Sequence, residues 1–177
     1  MNGIAPGVMS YGPVANIGPL MITPASSTLE DGSTGQWVVR AGCTIANSTA
    51  QAHSGTHSLA MTCNANGNMS IGTAGGLAAI PVLPNTPYTA QGWWYTTTPH
   101  QGYFAIQWLD RTGSLIIQAT MTPQAELTST WTNIIWNTVS DPNAAFALFI
   151  PAVQAAISGE VHYLDDITFN QGIYYPS

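Results

Sequence analysis

The chain has 177 residues, eight acids, two arginines (Arg40 and Arg111) and no lysine, for a formal charge of -6. Only 6% of its residues are charged, against about 25% in ordinary soluble domains, so it lacks the clustered cations that nucleic acids or anionic membrane surfaces require. With 45% hydrophobic residues and six tryptophans, it is also no charge-rich disordered chain, and its length suits one domain with a real core.

In chain order, residues 1–24 read as an extended arm. Gly and Pro recur between single apolar side chains such as Ile4, Val8, Tyr11, Val14, Ile17 and Leu20, which rules out a helix. So many apolar residues need cover, on a partner or on the protein's own body. Residues 25–177 form the second unit, a single β-domain. Strands are expected at 36–45, 57–63, 68–72, 87–97, 103–109, 114–121, 131–138, 144–150 and 160–169, where Thr, Val, Ile, Tyr and Trp dominate. Turn pairs separate them, among them Asp31-Gly32, Ser54-Gly55, Asn66-Gly67, Thr112-Gly113 and Ser158-Gly159. The only helix candidate, 153–157, is short. This spacing predicts an all-β sandwich or barrel.

No segment has the roughly 18 apolar residues of a membrane helix. Residues 1–24 lack a basic start and an unbroken apolar stretch, so they are not expected to be a secretion signal; the expectation is synthesis in a cytoplasm, or a chain whose signal has been removed. Cys43 and Cys63 match no metal spacing; they could pair across neighbouring strands, although a cytoplasmic setting favours thiols. His53 and His57 flank a turn rather than share a helix face, which disfavours zinc.

Catalytic patterns are sparse. There is no Gly-x-Ser-x-Gly elbow and no phosphate loop before a helix. A glycosidase would need two of the few acids, drawn from Glu30, Asp110, Asp165 and Asp166, across a cleft.

Aromatic residues carry more signal. If 88–97 is a strand, Tyr88, Ala90, Gly92 and Trp94 share a core face, and Thr89, Gln91, Trp93, Tyr95 and Thr97 the other. Along 103–109, Tyr103 and Gln107 oppose Phe104, Ile106 and Trp108. Ring faces beside amides and hydroxyls suit a sugar, whose C–H faces stack on rings. The ligand-binding candidates are therefore Gln91, Trp93, Tyr95 and Gln107. The same rings would also serve a subunit interface, where aromatics are enriched.

Five segments together resemble the jelly-roll carbohydrate-binding modules of families 4, 9 and 22. They are Thr28-Leu29-Glu30-Asp31-Gly32 with Trp37; Ala52-His53-Ser54-Gly55-Thr56-His57-Ser58-Leu59; Val82-Leu83-Pro84-Asn85-Thr86-Pro87-Tyr88-Thr89 with Trp93-Trp94; Trp108-Leu109-Asp110-Arg111-Thr112-Gly113; and Tyr163-Leu164-Asp165-Asp166-Ile167-Thr168-Phe169. The resemblance implies a jelly-roll sandwich. It also implies a structural calcium held by Glu30 and Asp165, with turn carbonyls near Ser54. A jelly roll with an apolar arm and few charges further resembles the minor tail and capsid decoration proteins of tailed phages. That likeness implies a non-catalytic virion structural protein. It would be made in the host cytoplasm, dock on phage capsid or tail proteins through its arm, and assemble as a homo-oligomer. The alternative is a carbohydrate-binding module recognising a neutral glycan.

Overall fold

The structure, a computed structural model, describes residues 16–174. Its strands are β1 (Asn16–Leu20), β2 (Val38–Ala41), β3 (Cys43–Ser48), β4 (Ser58–Cys63), β5 (Gly67–Gly72), β6 (Ile80–Pro81), β7 (Pro87–Thr96), β8 (Gln101–Leu109), β9 (Leu115–Thr120), β10 (Gln124–Ala125), β11 (Thr132–Val139), β12 (Phe146–Ala156) and β13 (Val161–Ile173). One short helix, α1 (Pro24–Thr28), precedes β2. Thr23 caps it by accepting the Ser26 amide, and Pro24 stands in the first turn, where a missing N–H costs nothing.

Two antiparallel sheets face each other. Sheet A runs β11-β7-β13-β4-β3, with β1 also on β13; sheet B runs β10-β8-β12-β5-β2, with β9 on β8 and β6 on β12. The jelly-roll sandwich expected from the sequence is the observed architecture. The expected strand at 36–45 is two strands in different sheets. Gly42 breaks it at φ +63, where a Cβ would lie 2.5 Å from the Asn68 carbonyl oxygen. The short helix candidate at 153–157 falls at the end of β12, which runs to Ala156 and whose ladder with β8 continues to Gln154. Alanines there read as helical, but pairing with β8 and β5 overrides their propensity.

Residues 1–15 of the expected arm lie outside the described residues. Asn16–Leu20, also within it, adds to β13 beyond the point where β4 ends.

The core is a run of aromatic rings between the sheets. Tyr88 stacks on Phe169 at 5.3 Å, Phe169 on Phe149 at 5.3 Å, Phe149 meets Phe104 at 5.2 Å, and Phe104 meets Trp94 at 5.8 Å. All five are fully buried. Each such contact adds about 0.5–1.5 kcal/mol beyond area burial. Tyr88 keeps its polar end satisfied by accepting the Leu83 amide at 2.8 Å. The alternation along β7 places Tyr88, Ala90, Gly92 and Trp94 inward as expected.

Candidate ligand-binding surface

On β7 the residues between those core positions point out of sheet A. Gln91, Trp93 and Tyr95 are half-buried, and Thr89 is buried. The end of β13 covers Thr89: its hydroxyl lies 2.9 Å from the Gly172 carbonyl oxygen and accepts the Tyr174 amide at 3.0 Å. The segment 49–57 lies over the middle of the same face. His53 stacks on Trp93, ring centroids 3.8 Å apart. Farther along, Tyr95 packs near Trp131 (5.4 Å) and Tyr163 (6.1 Å).

Two acids hold that segment. Glu30 Oε1 accepts the amides of Thr56 (2.9 Å) and His57 (2.8 Å), and Oε2 accepts the Thr56 hydroxyl (3.0 Å). Gly55, at φ +59, leaves room for this carboxylate, since a Cβ there would fall 2.5 Å from it. Asp165 is fully buried. Its Oδ2 accepts the amides of His53 (2.8 Å) and Ser54 (3.1 Å), and Oδ1 that of Asp166 (2.7 Å). A bulge in β13 with Asp166 at φ +46 lets both neighbouring acids face the turn, so Asp166 bonds His53 Nδ1 (2.7 Å) and the Ser54 hydroxyl (2.8 Å). Burial pushes the Asp165 carboxyl up, outweighing the amides that lower it. The amides of His57 and Thr56 hold the Glu30 carboxyl down.

The two acids expected to bind calcium thus close on one turn. A carboxylate offers about four lone-pair positions, and three are used on each, leaving one apiece. Glu30 and Asp165 are the side chains that would hold such an ion. Among the described residues no group of three His, Cys, Asp or Glu forms a metal cluster.

The opposite outer face, on sheet B, carries a groove of about 230 Å³ lined by Arg40, Ser70, Tyr103, Ala105, Gln107, Gln118, Leu148 and Ile150. Its shape follows from the register. Gln107 faces Gln118 on β9 and Leu148 on β12, while Ala105 faces Ile150. Small residues Ser70 and Ala105 lower the floor; Tyr103, Arg40 and the two amides form its walls. Gln107 donates to Gln118 at 3.0 Å, fixing both. Arg40 donates to the Thr73 carbonyl and lies over Gly72, where a Cβ would meet its Nε at 3.0 Å. Among the described residues Arg40 pairs with no carboxylate.

The structure therefore separates the four candidate ligand-binding residues. Gln91, Trp93 and Tyr95 share one outer face, and Gln107 lies on the other. Alternation tells which residues share a face of one strand, but β7 and β8 belong to different sheets. The sequence reading missed Arg40 and Gln118, which join Gln107 only through strand pairing.

No protein-family model matches the sequence, and no curated protein does. Solved structures match it in fold. The CBM22-1 xylan-binding domain of Paenibacillus barcinonensis Xyn10C is 15% identical, with a TM-score of 0.68 over 89% of this chain and 97% of that one. The fold is that of the jelly-roll carbohydrate-binding modules. Within that fold, a family 16 carbohydrate-binding module is 18% identical, with a TM-score of 0.60 over 84% of this chain and 98% of that one. The enzymatically active domain of tailspike protein 4 from bacteriophage CBA120 is 11% identical. It has a TM-score of 0.66 over 86% of this chain but 21% of that one. Among the described residues no helix is long and apolar enough to cross a membrane.

Proposed function

We propose that this protein is a non-catalytic carbohydrate-binding module that holds a neutral polysaccharide in the groove of sheet B. The observation that carries the reading is the groove's lining: two aliphatic side chains, one tyrosine ring, two paired amides and one arginine with no carboxylate partner among the described residues. Sugar C–H faces pack on Tyr103, Leu148 and Ile150, and sugar hydroxyls pair with Gln107, Gln118 and Arg40. No acid lines this groove, whereas glycoside hydrolysis uses two carboxyls across the scissile bond. The similarity to a xylan-binding domain makes soluble xylan the first probe. In affinity electrophoresis the wild-type protein is retarded by xylan or another neutral polysaccharide, and Tyr103→Ala or Gln107→Ala reduces the retardation about tenfold or more. A wild-type protein that ignores neutral polysaccharides overturns the reading.

A second reading, a phage particle protein anchored by residues 1–24, draws support from the similarity to a tailspike domain. It requires residues 1–15 for assembly. A chain lacking them that keeps the full chain's oligomeric state, by light scattering, counts against it.

A further inference from the structure

A second groove, of about 490 Å³, lies on the outer face of sheet A, lined by Gln51, Tyr95, Thr97, Thr98, Ser158, Gly159, Glu160, Val161 and Tyr163. Its volume is within the range of small-molecule sites. Tyr95 and Tyr163 face each other across the β7–β13 ladder with rings 65° apart, so two phenol rings wall one side.

Behind the groove is a chain of polar groups, buried at His162 and Glu126 and partly exposed at His100 and Glu160. His162 is fully buried and its Nδ1 bonds Glu126 Oε1 at 2.8 Å. Glu126 Oε2 accepts the His100 amide at 3.0 Å, and His100 Nε2 bonds Glu160 Oε2 at 2.8 Å. That same Oε2 also accepts the Ile157 amide at 2.7 Å. Half of the chain's four histidines and two of its eight acids are spent here. Burying His162 and Glu126 is costly unless they are fully bonded, and His162 Nε2 has no partner among the described residues, so the network needs a reason. It fixes Glu160 with one oxygen engaged and Oε1 taking no bond from the described residues, at the wall of the groove. Burial raises the Glu160 carboxyl, but the Ile157 amide and His100 outweigh it, and the group stays ionised near neutrality.

We infer that this groove is a second glycan site, in which Glu160 Oε1 accepts sugar hydroxyls while Tyr95 and Tyr163 stack on the ring. The lining holds no cation to receive an anionic group, and Gln51, Thr97, Thr98 and Ser158 offer neutral partners. The ligand class is therefore a neutral sugar unit; a uronic acid is repelled by Glu160. The inference rests on the proposed function for its ligand class, but not on the sheet B groove. With sites on opposite outer faces, one molecule bridges two polysaccharide chains.

The test is calorimetric titration of the full chain with neutral oligosaccharides of xylan, glucan and mannan type, beside turbidity of the corresponding polymers. We expect two binding events in the wild type. Tyr103→Ala keeps the event that Tyr163→Ala removes, and Glu160→Gln weakens that event about tenfold, as expected for losing a charged acceptor. Polymer crosslinking, read as turbidity, disappears in each single-groove variant. Melting temperatures verify that each variant is folded; should Tyr163→Ala unfold, Glu160→Gln and Thr97→Ala carry the test. If Tyr103→Ala abolishes all binding and Glu160→Gln changes nothing, the second site is overturned while the sheet B reading stands. If all binding is lost with Tyr163→Ala and none with Tyr103→Ala, the reverse holds. If no neutral oligosaccharide binds, both fall.

Discussion

His53 lies flat on Trp93, ring centroids 3.8 Å apart and planes 14° from parallel. The imidazole is held there by Asp166 at 2.7 Å and by the bond from its own amide to Asp165. One face of Trp93 is therefore closed by the protein itself. Trp93, one of the candidate sugar-binding residues, is the platform on which the 49–57 segment rests.

Removing that contact gives the first expectation. His53→Ala should expose Trp93, seen as a red-shifted emission and stronger acrylamide quenching. It should also cost about 1–3 kcal/mol, the sum of a stacked pair and a hydrogen bond. Unchanged quenching would mean that the stack does not form in solution.

The two acids beneath that segment bear on calcium. We propose, from the family resemblance and the convergence of Glu30 and Asp165 on one turn, that a calcium ion adds stability there. A ligand that binds only the folded chain stabilises it by about 2.7 kcal/mol at 100 times its Kd. Excess calcium should then raise the melting temperature of the wild type and not of Glu30→Gln. No rise in the wild type would mean that the carboxylate–amide bonds hold the turn unaided.

Acid stability follows from the carboxyl shifts. Folding lowers Glu30, Asp31, Asp110 and Glu160, so the stability they provide is present above their ordinary range and is lost as pH falls through their folded values. Asp165 has the opposite sign. Burial raises it above 3.8, so its contribution is present at lower pH and lost as pH rises through its folded value. The melting temperature should fall on acidification below about pH 4.5, less steeply in Glu160→Gln, and Asp165→Asn should alter the limb above pH 4. A flat profile between pH 6 and 3 would contradict this assignment.

Much of the fold was legible because its strands are rich in β-branched and aromatic residues and its turns carry Gly, Asn and Asp. The inward set Tyr88, Ala90, Gly92 and Trp94 follows from alternation alone. Three features did not follow. Alternation is blind to sheet membership, so it groups Gln107 with Trp93 although the sandwich lies between them. The bulge at Asp166 breaks alternation, turning two neighbouring acids onto one turn. The pairs His162–Glu126 and His100–Glu160 join residues 36 and 60 positions apart, which no local spacing announces.

Cys43 and Cys63 face each other across β3 and β4, both buried and both as thiols. Burial pushes the Cys43 thiol up to about 11. At pH 8 roughly a thousandth of it is thiolate, the reactive form. Native protein should therefore react with a thiol reagent far more slowly at Cys43 than the unfolded chain does. Reaction at the unfolded rate, followed by mass spectrometry, would place Cys43 in an open environment.

The last expectation concerns Gly72, which touches no ligand but seats Arg40. A Cβ there would meet Arg40 Nε at 3.0 Å, Leu148 Cδ2 at 3.2 Å and the Phe149 carbonyl oxygen at 3.2 Å. Two of these neighbours are ends of flexible side chains and can give way; the third is backbone and moves by tenths of an ångström at most. Gly72→Ala should therefore fold with a modest loss of stability, yet lift Arg40 off its seat and out of the sheet B groove. Because Arg40 brings the only positive charge to that lining, affinity for a neutral polysaccharide should drop several-fold, about what one charged hydrogen bond contributes. Arg40→Ala should lose a similar amount, and the double variant little more, since both remove the same interaction. Additive losses would show that Gly72 and Arg40 act separately and that the guanidinium is not held over the glycine.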